Sequence, residues 1–199
     1  MSEIPETVVL LADDGTVIGE APKATVHTAD TPLHLAFSCH VFDAQGRVLV
    51  TRRALSKKTW PGVWTNSFCG HPAPGEDTVE AIARRAQREL GLTLTDVAVA
   101  LPDFRYRAVD ASGVVENEIC PVYTARAAAD PRPAPDEVAE WAWLDPAELR
   151  AAVAAAPFAF SPWLGWQLAA WSGDYSAGDD SAGDDPAAGV AGAAASAGG

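Results

Sequence analysis

Residues 66–92 constrain the fold of this chain more than any other stretch, because a helix can be recognised there from local signals alone. Asp77 or Thr78 can cap the first amides of the helix, and Gly91 stands where a left-handed residue commonly ends one. Between these ends, apolar residues recur at helical spacing at Ile82, Ala86 and Leu90. The pattern therefore predicts one amphipathic helix with both ends marked.

A loop with reactive side chains leads into this helix. Cys69 and His71 flank a single glycine, so a thiol and an imidazole lie close together in the chain. On the helix, Arg85 and Glu89 are four residues apart and point to one side, which suits a diphosphate and its accompanying cation. The alternative is a surface helix with ordinary salt bridges, since such pairs are common on solvated faces.

Composition excludes several classes of protein. The 199 residues suit one domain with a sizeable core, and 48% of them are hydrophobic. A net charge of −13 argues against sequence-independent nucleic-acid binding, although local basic groups can still bind a small anion. The sequence shows no apolar run of membrane-spanning length, and three cysteines without a signal peptide indicate reduced thiols. We therefore expect a cytoplasmic protein with no nucleic-acid partner and no membrane partner. Its oligomeric state does not follow from composition, and a monomer is our expectation.

The C-terminal residues differ in composition from the rest of the chain. After about Tyr175 the motif SAGDD occurs twice, and alanine and glycine continue to the last residue. Such a segment has little apolar surface to bury and is predicted to be disordered. We expect a single domain over residues 1–175 and a disordered tail over residues 176–199.

Alternating and apolar segments predict strands on both sides of the central helix. Residues 34–42 and 47–53 form a predicted hairpin, and Lys23 and His27 fall in the polar loop before it. Further strands are predicted at residues 7–11, 16–19, 98–108, 115–124 and 139–144. Further helices are expected where a capping residue precedes proline, at Asp145-Pro146 and at Ser161-Pro162.

Two carboxylates share one face of the predicted strand at residues 115–124. Glu116 and Glu118 are two residues apart, so they repel one another unless a cation or a proton lies between them. One interpretation is a solvated edge strand. The apolar setting favours a metal site at least as strongly.

The stretch at residues 66–92 resembles the Nudix box. The positions that fit the box are Gly70, Glu76, Arg84, Ala86, Glu89, Gly91 and Leu92. Arg85 and Arg88 stand where the hydrolases of this superfamily carry two glutamates, and the loss of two carboxylates weakens a hydrolytic magnesium site. The resemblance implies an α/β fold, a Nudix-like α/β/α sandwich with a mixed sheet, and argues against hydrolysis.

A wider resemblance covers most of the chain from Lys23 to Trp163. The segments HTADTPLHLAFS, VTRRALSKKTWPGVWTNSFCGHP, DFRYRA, VENEICPV and FSPWL are similar to type 1 isopentenyl-diphosphate isomerases. This resemblance implies an isomerase of isoprenoid biosynthesis. Such an enzyme converts isopentenyl diphosphate to dimethylallyl diphosphate by adding one proton and removing another.

The resemblance also implies a role for each matching residue. Cys69 and Glu118 match the catalytic pair, and Tyr106 matches a tyrosine that assists the acidic residue. Glu89, with the backbone carbonyl of Cys69, matches the site of a Mg²⁺ ion that bridges to the diphosphate. A second metal, Mn²⁺, Zn²⁺ or Mg²⁺, is implied at His27, His34, His71, Glu116 and Glu118. The matching diphosphate-binding residues are Lys23, Arg53, Lys57 and Arg85, and Trp163 matches an aromatic wall.

Two other functions are compatible with parts of the sequence. A Nudix hydrolase of a nucleoside diphosphate derivative would use the same fold, but it would want glutamates where Arg85 and Arg88 stand. A non-enzymatic metal-binding module would explain the histidines and Cys69 but would leave the basic residues without a shared purpose. His40 lies outside the implied metal site and is expected to be structural.

Overall fold

The structure is a computed structural model that describes residues 6–177. Its strands are β1 Thr7–Leu11, β2 Val17–Pro22, β3 His34–Leu35, β4 Phe37–Phe42, β5 Val48–Arg53, β6 Trp64–Thr65, β7 Phe68–Gly70, β8 Leu94–Leu101, β9 Arg105–Val109, β10 Val115–Ile119, β11 Val122–Ala127 and β12 Val138–Leu144. Its α-helices are α1 Lys23–Val26, α2 Thr78–Leu90, α3 Pro146–Ala155 and α4 Pro162–Ala170. A 3₁₀ turn at Pro157–Ala159 joins α3 to α4.

The strands form two mixed sheets. The five-stranded sheet has the order β2-β1-β3-β10-β9, and the seven-stranded sheet has the order β12-β5-β4-β11-β8 with β6 on β5 and β7 on β4. In each sheet one pair is parallel, β3 with β10 and β4 with β11, while the other pairs are antiparallel. The predicted α/β class is confirmed, although the sheet is divided in two.

Helices cover both faces of the seven-stranded sheet. On one face α2 packs its apolar side against strand residues such as Phe37, Leu49 and Phe68. On the other face α3 and α4 pack against Phe42 and Val48. These two apolar layers produce the predicted α/β/α sandwich.

The central helix matches its local prediction. Asp77 accepts hydrogen bonds from the amides of Val79 and Glu80, and Gly91 ends the helix in a left-handed conformation with φ of 62°. A Cβ at Gly91 would also lie 3.1 Å from the carbonyl oxygen of Arg132, so the glycine relieves strain and crowding together. The predicted apolar stripe, Ile82, Ala86 and Leu90, is fully buried.

Three predicted strands are each divided between the two sheets, and the continuous-strand predictions were wrong. Residues 34–42 form β3 and β4, residues 98–108 form β8 and β9, and residues 115–124 form β10 and β11. Proline interrupts two of them, Pro102 and Pro121, because its ring nitrogen has no hydrogen to donate to a neighbouring strand. Residues 34–42 run parallel to residues 115–124 and cross between the sheets with them.

The polar loop predicted at Lys23 and His27 was also wrong in part. Lys23 begins the one-turn helix α1, and His27 is the residue that ends it. This turn follows directly from β2, so it holds both side chains close to the sheet.

The domain boundaries stay a prediction. Of the predicted tail at residues 176–199, only Ser176 and Ala177 lie within the described part of the chain, and Ala177 packs in the core beside Tyr175. The other tail residues lie outside the described range. Among the described residues, no helix is both long and apolar enough to cross a bilayer.

His40 is a fully buried imidazole on the α4 side of the seven-stranded sheet. Its Nε2 lies 2.9 Å from Oε1 of Gln167, and its Nδ1 lies 2.6 Å from the hydroxyl of Tyr175. Burial lowers the pKa of His40 to about 4, because the cation would lose its hydration. The folded protein therefore holds a neutral ring at this position.

We predict that His40 makes the fold sensitive to acid. Folding lowers its pKa from 6.5 to about 4. The neutral ring therefore contributes fully to the free energy of unfolding above pH 6.5, and this contribution is lost as the pH falls towards 4. His40→Gln keeps hydrogen-bonding capacity but cannot titrate. The difference in free energy of unfolding between wild type and variant should shrink at acid pH by on the order of 3 kcal/mol.

This measurement uses urea unfolding across that pH range, with a chelator present so that no other histidine releases a metal. A difference in unfolding free energy that stays constant with pH would contradict the assignment.

Candidate active site

One pocket of about 480 Å³ collects most of the predicted site residues. Among its lining residues are Lys23, His27, Arg53, Lys57, Cys69, His71, Arg85, Tyr106, Glu116, Glu118 and Trp163. The two other predicted residues lie directly behind this lining. His34 Nε2 is 3.5 Å from Oε1 of Glu118, and Glu89 Oε2 is 2.8 Å from Nε of Arg85. Residues far apart in sequence are therefore brought to one place.

Three histidines and one glutamate converge at one end of this pocket. His27, His34, His71 and Glu118 each offer a ligand atom, and these atoms lie within 4.8 Å of one another. Nδ1 of His34 is 2.9 Å from the Pro32 carbonyl and donates to it, which leaves the lone pair on Nε2 facing the cluster. His71 Nε2 is 3.2 Å from Oε1 of Glu118.

The charge and hydrogen bonding of this cluster fit a divalent cation. Within residues 6–177, the buried atoms His27 Nε2, His34 Nε2, His71 Nδ1 and Glu118 Oε2 have no hydrogen-bond partner. Buried polar atoms without partners are costly, and a cation would satisfy several of them together. Imidazole nitrogen and carboxylate oxygen are ligands for zinc, manganese and similar ions.

The pKa values in the cluster suit metal binding as well. Burial lowers the pKa of His27 to about 4, and burial also lowers the pKa of His71, so both rings are neutral and can ligate. Burial alone would raise the pKa of Glu118, but the imidazoles of His34 and His71, which lie 3.5 and 3.2 Å from its Oε1, hold that pKa well below its ordinary value. Glu118 is therefore an anion, and although burial opposes it, this neighbouring carboxylate raises the pKa of His34.

Glu116 is the one predicted ligand of this site that lies outside the converging set. Its Oε2 is 3.8 Å from His27 Nε2, while Thr59 donates to Oε1 at 2.7 Å and Tyr106 donates to Oε2 at 3.4 Å. Burial and the charge of Glu118 raise the pKa of Glu116 to about 8. Glu116 therefore holds a proton more readily than Glu118, and this difference reduces the predicted repulsion between the two carboxyls.

Cys69 is the middle residue of β7, and hydrogen-bonding groups surround its sulfur. Its Sγ is 3.2 Å from Oγ of Ser38 and 3.4 Å from the side-chain amide of Asn66. Burial raises the pKa of Cys69 to about 12, although both hydrogen bonds oppose that shift. Only glycine fits at the next position, because a Cβ on Gly70 would lie 2.7 Å from the ring of Phe37.

Aromatic rings form the wall beside Cys69. The ring of Trp163 lies 5.6 Å from that of Tyr106 and 5.1 Å from that of Trp60. Nε1 of Trp163 donates to Oδ1 of Asn66 at 3.1 Å. Asn66 therefore links the thiol to the aromatic wall, and sequence reasoning gave it no role even though it lies in one of the matching segments.

The basic residues line the other end of the pocket, and carboxylates that were not predicted hold three of them. Lys23 Nζ is 2.5 Å from Oε2 of Glu6, and Arg85 Nη2 is 2.8 Å from Oε2 of Glu137, which also pairs with Lys57. No local pattern marks Glu6 or Glu137, because each meets its partners only through the fold.

Arg53 and Glu89 complete this basic end of the pocket. Arg53 donates to the Thr59 carbonyl at 2.8 Å and lies over the ring of Trp163. The Arg85 Nε and Glu89 Oε2 atoms are close but are not aligned as a hydrogen bond. Burial raises the pKa of Glu89, so a nearby cation would stabilise its ionised form.

Comparison with known proteins agrees with this geometry. Residues 32–164 match the NUDIX domain family. An isopentenyl-diphosphate Delta-isomerase of Clavibacter sepedonicus is 69% identical over 168 residues, which is 84% of this chain and 88% of that protein. The chain belongs to the isopentenyl-diphosphate Delta-isomerase family, within the NUDIX fold. An enzyme of the same name from Agromyces mediolanus is 68% identical over 80% of this chain and 77% of its own.

A solved structure supports the fold assignment of this family member. DR0079 from Deinococcus radiodurans superimposes with a TM-score of 0.65 at 22% identity, covering 82% of this chain and 98% of that one. At this identity the likeness concerns the fold alone. The two mixed sheets and the covering helices are therefore the NUDIX arrangement.

The charged residues of the Nudix box form ion pairs with one another and with Glu137 in this family member. Glu76, the first glutamate of the box, forms a two-point ion pair with Arg84 on the outer side of α2, with both distances 2.7 Å. Arg85, at a position where the hydrolases carry glutamate, is buried between Glu89 and Glu137. The helix therefore presents a cation to the pocket.

We predict that the histidine cluster retains one equivalent of a divalent metal through purification. His71→Ala removes a ligand from the set and should lower the metal affinity by more than the roughly tenfold that loss of an outer-shell partner costs, so the purified variant should carry well below one equivalent. His40→Gln is the matched control, because His40 is a buried histidine outside the cluster. The measurement is elemental analysis of the purified proteins. Equal metal content in wild type and His71→Ala would contradict the assignment of the metal site.

Proposed function

We propose that this pocket isomerises isopentenyl diphosphate to dimethylallyl diphosphate by adding a proton to one carbon and removing a proton from another. The observation that carries this proposal is the placement of Cys69, Glu118 and Tyr106 around one pocket with an aromatic wall and a basic end. The activity named for the similar enzymes agrees with it.

The reaction needs two proton-transfer groups on a hydrocarbon. Moving a double bond by one position proceeds through a tertiary carbocation, which water would trap. Cys69 lies on β7 and Glu118 on β10, so the two can approach a small allylic unit from different sides. Tyr106, buried beside Glu116, assists the acidic residue from the neighbouring strand β9.

Aromatic rings protect and stabilise the carbocation. Trp163 is nearly fully buried and packs against Tyr106 and Trp60, so the wall they form excludes water from the hydrocarbon. The electron-rich face of an indole attracts a positive charge. The nearby Arg53 guanidinium already lies over the ring of Trp163, 5.8 Å from its centroid.

The basic end of the pocket binds the diphosphate. Lys23, Lys57 and Arg85 are held there by Glu6 and Glu137, and a diphosphate would replace these carboxylates with a denser charge. Arg53 completes the set. Glu89 and the backbone carbonyl of Cys69 would hold a Mg²⁺ ion, whose charge would neutralise the phosphate oxygens.

The histidine cluster would hold the second metal, for which we propose Mn²⁺, Zn²⁺ or Mg²⁺. His27, His34, His71 and Glu118 offer their ligand atoms together, and Glu116 is close enough to join after a small side-chain movement. The ion would hold Glu118 as an oriented carboxylate beside the hydrocarbon. Because burial and the charge of Glu118 raise the pKa of Glu116, Glu116 would release a proton on joining the metal.

The two rival functions are less well supported. Hydrolysis of a nucleoside diphosphate derivative uses several glutamates on α2, whereas here Glu76 is paired with Arg84, and Arg85 occupies a glutamate position. A non-enzymatic metal-binding module does not account for four basic residues around the same pocket. Incubation with isopentenyl diphosphate distinguishes the three functions by allylic product, released phosphate or no turnover.

The cellular setting is proposed on sequence grounds. Cys39, Cys69 and Cys120 are free thiols, which agrees with a reducing compartment such as the cytoplasm. We propose a monomer that acts on a small diphosphate without a nucleic-acid or membrane partner. Size measurement in solution and fractionation of expressing cells test these points.

We predict that Cys69→Ala and Glu118→Gln each abolish net isomerisation, because one proton must enter as another leaves. Either variant should still exchange hydrogen at a single carbon when it is incubated with substrate in heavy water. The position of the deuterium, found by NMR, assigns each residue to its carbon. Substantial isomerisation by Cys69→Ala would refute the two-sided mechanism.

We predict that Arg85→Ala raises the KM for isopentenyl diphosphate about 10- to 100-fold, as expected for the loss of a charge-assisted hydrogen bond to phosphate. Arg84→Ala is the matched control, since Arg84 precedes it on α2 but pairs with Glu76 on the outer side. Steady-state kinetics of both variants, with their melting temperatures, test the assignment. An unchanged KM in folded Arg85→Ala would disprove it.

A further inference from the structure

A line of buried side-chain hydrogen bonds runs from the C-terminal segment to Cys69. Tyr175 OH lies 2.6 Å from Nδ1 of His40, and Nε2 of His40 lies 2.9 Å from Oε1 of Gln167. The amide nitrogen of Gln167 then donates to Oγ of Ser38 at 2.8 Å, and this hydroxyl lies 3.2 Å from the sulfur of Cys69. We call these four residues, Ser38, Gln167, His40 and Tyr175, the relay.

The relay is shielded from solvent over its whole length. Ser38, His40 and Gln167 have no exposed surface, and Tyr175 is 3% exposed. None of the four lines the pocket, and Cys69 is the pocket residue that the hydrogen bonds of the relay reach. Buried polar groups of this kind are held in one arrangement, because each lost hydrogen bond leaves an unsatisfied partner.

The hydrogen bonds of the relay have one direction. Burial keeps the His40 ring neutral, so it carries one N–H. That hydrogen points from Nε2 to the Gln167 oxygen, and Nδ1 therefore accepts from the hydroxyl of Tyr175. Because Gln167 donates its amide hydrogen to Ser38, the hydroxyl hydrogen of Ser38 is left to be donated to a sulfur, that of Cys69 or, at 3.4 Å, that of Cys120.

Asn66 fixes the other side of the Cys69 sulfur. Its amide nitrogen donates to the carbonyls of Cys39 and Phe68 at 3.1 and 2.8 Å, so its oxygen is left as an acceptor. Cys69 donates its thiol hydrogen to that oxygen at 3.4 Å. The thiol thus has the Asn66 oxygen as its acceptor on one side and, on the other, the Ser38 hydroxyl, which lies closer to the Cys69 sulfur than to that of Cys120.

We propose that Ser38, Gln167, His40 and Tyr175 are positioning residues that hold the Cys69 thiol in its reactive orientation. The inference rests on the proposed role of Cys69 in proton transfer. A thiol makes weak hydrogen bonds and can rotate, so a fixed donor on the sulfur restricts it to one geometry. The same donor faces the sulfur as its proton departs, which is where preorganised hydrogen bonds act.

The direct test removes relay members one at a time. Ser38→Ala should lower kcat about three- to tenfold, the effect of one hydrogen bond, and leave KM within about twofold. Gln167→Met, which keeps length and volume, should lower kcat less, and Tyr175→Phe should lower it least. Leu168→Ala is the matched control, since Leu168 is the buried neighbour of Gln167 on α4 but contributes no polar group.

A spectroscopic measurement separates positioning from stability. The S–H stretching band of Cys69 is isolated in the Raman difference spectrum between the wild type and Cys69→Ala. Ser38→Ala should shift this band, because the sulfur loses its donor, and Gln167→Met should shift it in the same direction. Leu168→Ala should leave the band in place even though it lowers the melting temperature.

The outcomes distinguish this inference from the proposed function. If Cys69→Ala isomerises substrate, the role of Cys69 and the relay fail together. If Cys69→Ala is inactive while folded Ser38→Ala keeps both kcat and the S–H band, only the relay is overturned. A loss of kcat in Leu168→Ala equal to that in Gln167→Met, without a band shift in either, would also overturn it. If Gln167→Met does not fold, Tyr175→Phe preserves the aromatic packing and carries the comparison.

Discussion

The parallel pairing of residues 34–42 with residues 115–124 is the contact on which the site depends. In the five-stranded sheet it sets His34 opposite Glu118, and in the seven-stranded sheet it sets Ser38 opposite Val122. The next strand in each sheet adds one more residue to this alignment. Tyr106 on β9 pairs with Glu118, and Cys69 on β7 pairs with Ser38. Backbone register alone therefore aligns a metal ligand, a carboxylate and a tyrosine beside the serine and thiol pair.

Burial of charge is the second constraint, and it follows from that register. Two carboxyls two residues apart on β10 face the pocket, and three imidazoles that burial strips of water surround one of them. Among residues 6–177, several nitrogen and oxygen atoms of this cluster have no hydrogen-bond partner, whereas the polar groups around Cys69 are almost all hydrogen-bonded. The cluster, with its unpaired nitrogen and oxygen atoms, suits metal binding. The thiol, with hydrogen-bonded neighbours, suits proton transfer.

At the basic end of the pocket, carboxylates already balance the charge of the lysine and arginine side chains. Lys23, Lys57 and Arg85 each contact a carboxylate of Glu6 or Glu137, so the pocket is formed before an anion arrives. These carboxylates offset the repulsion between the cations, and in the proposed function a diphosphate would replace them. The replacement of Nudix glutamate by Arg85 fits the same arrangement, because it adds a cation where Glu89 and Glu137 can hold it.

The sequence by itself determined the parts that depend on neighbours along the chain. Asp77 and Gly91 mark the ends of α2 because capping is local. The family resemblance of the matching segments predicted the site residues, most of which line one pocket in the structure. Only the tertiary structure decided where strands change sheets, that Glu116 lies beside the ligand cluster, and that Glu6, Glu137, Asn66 and the relay join the site. Some of those contacts join residues as far as 135 positions apart, as for His40 and Tyr175. Parallel strands are also joined by long crossovers. No local sequence pattern can therefore encode these contacts.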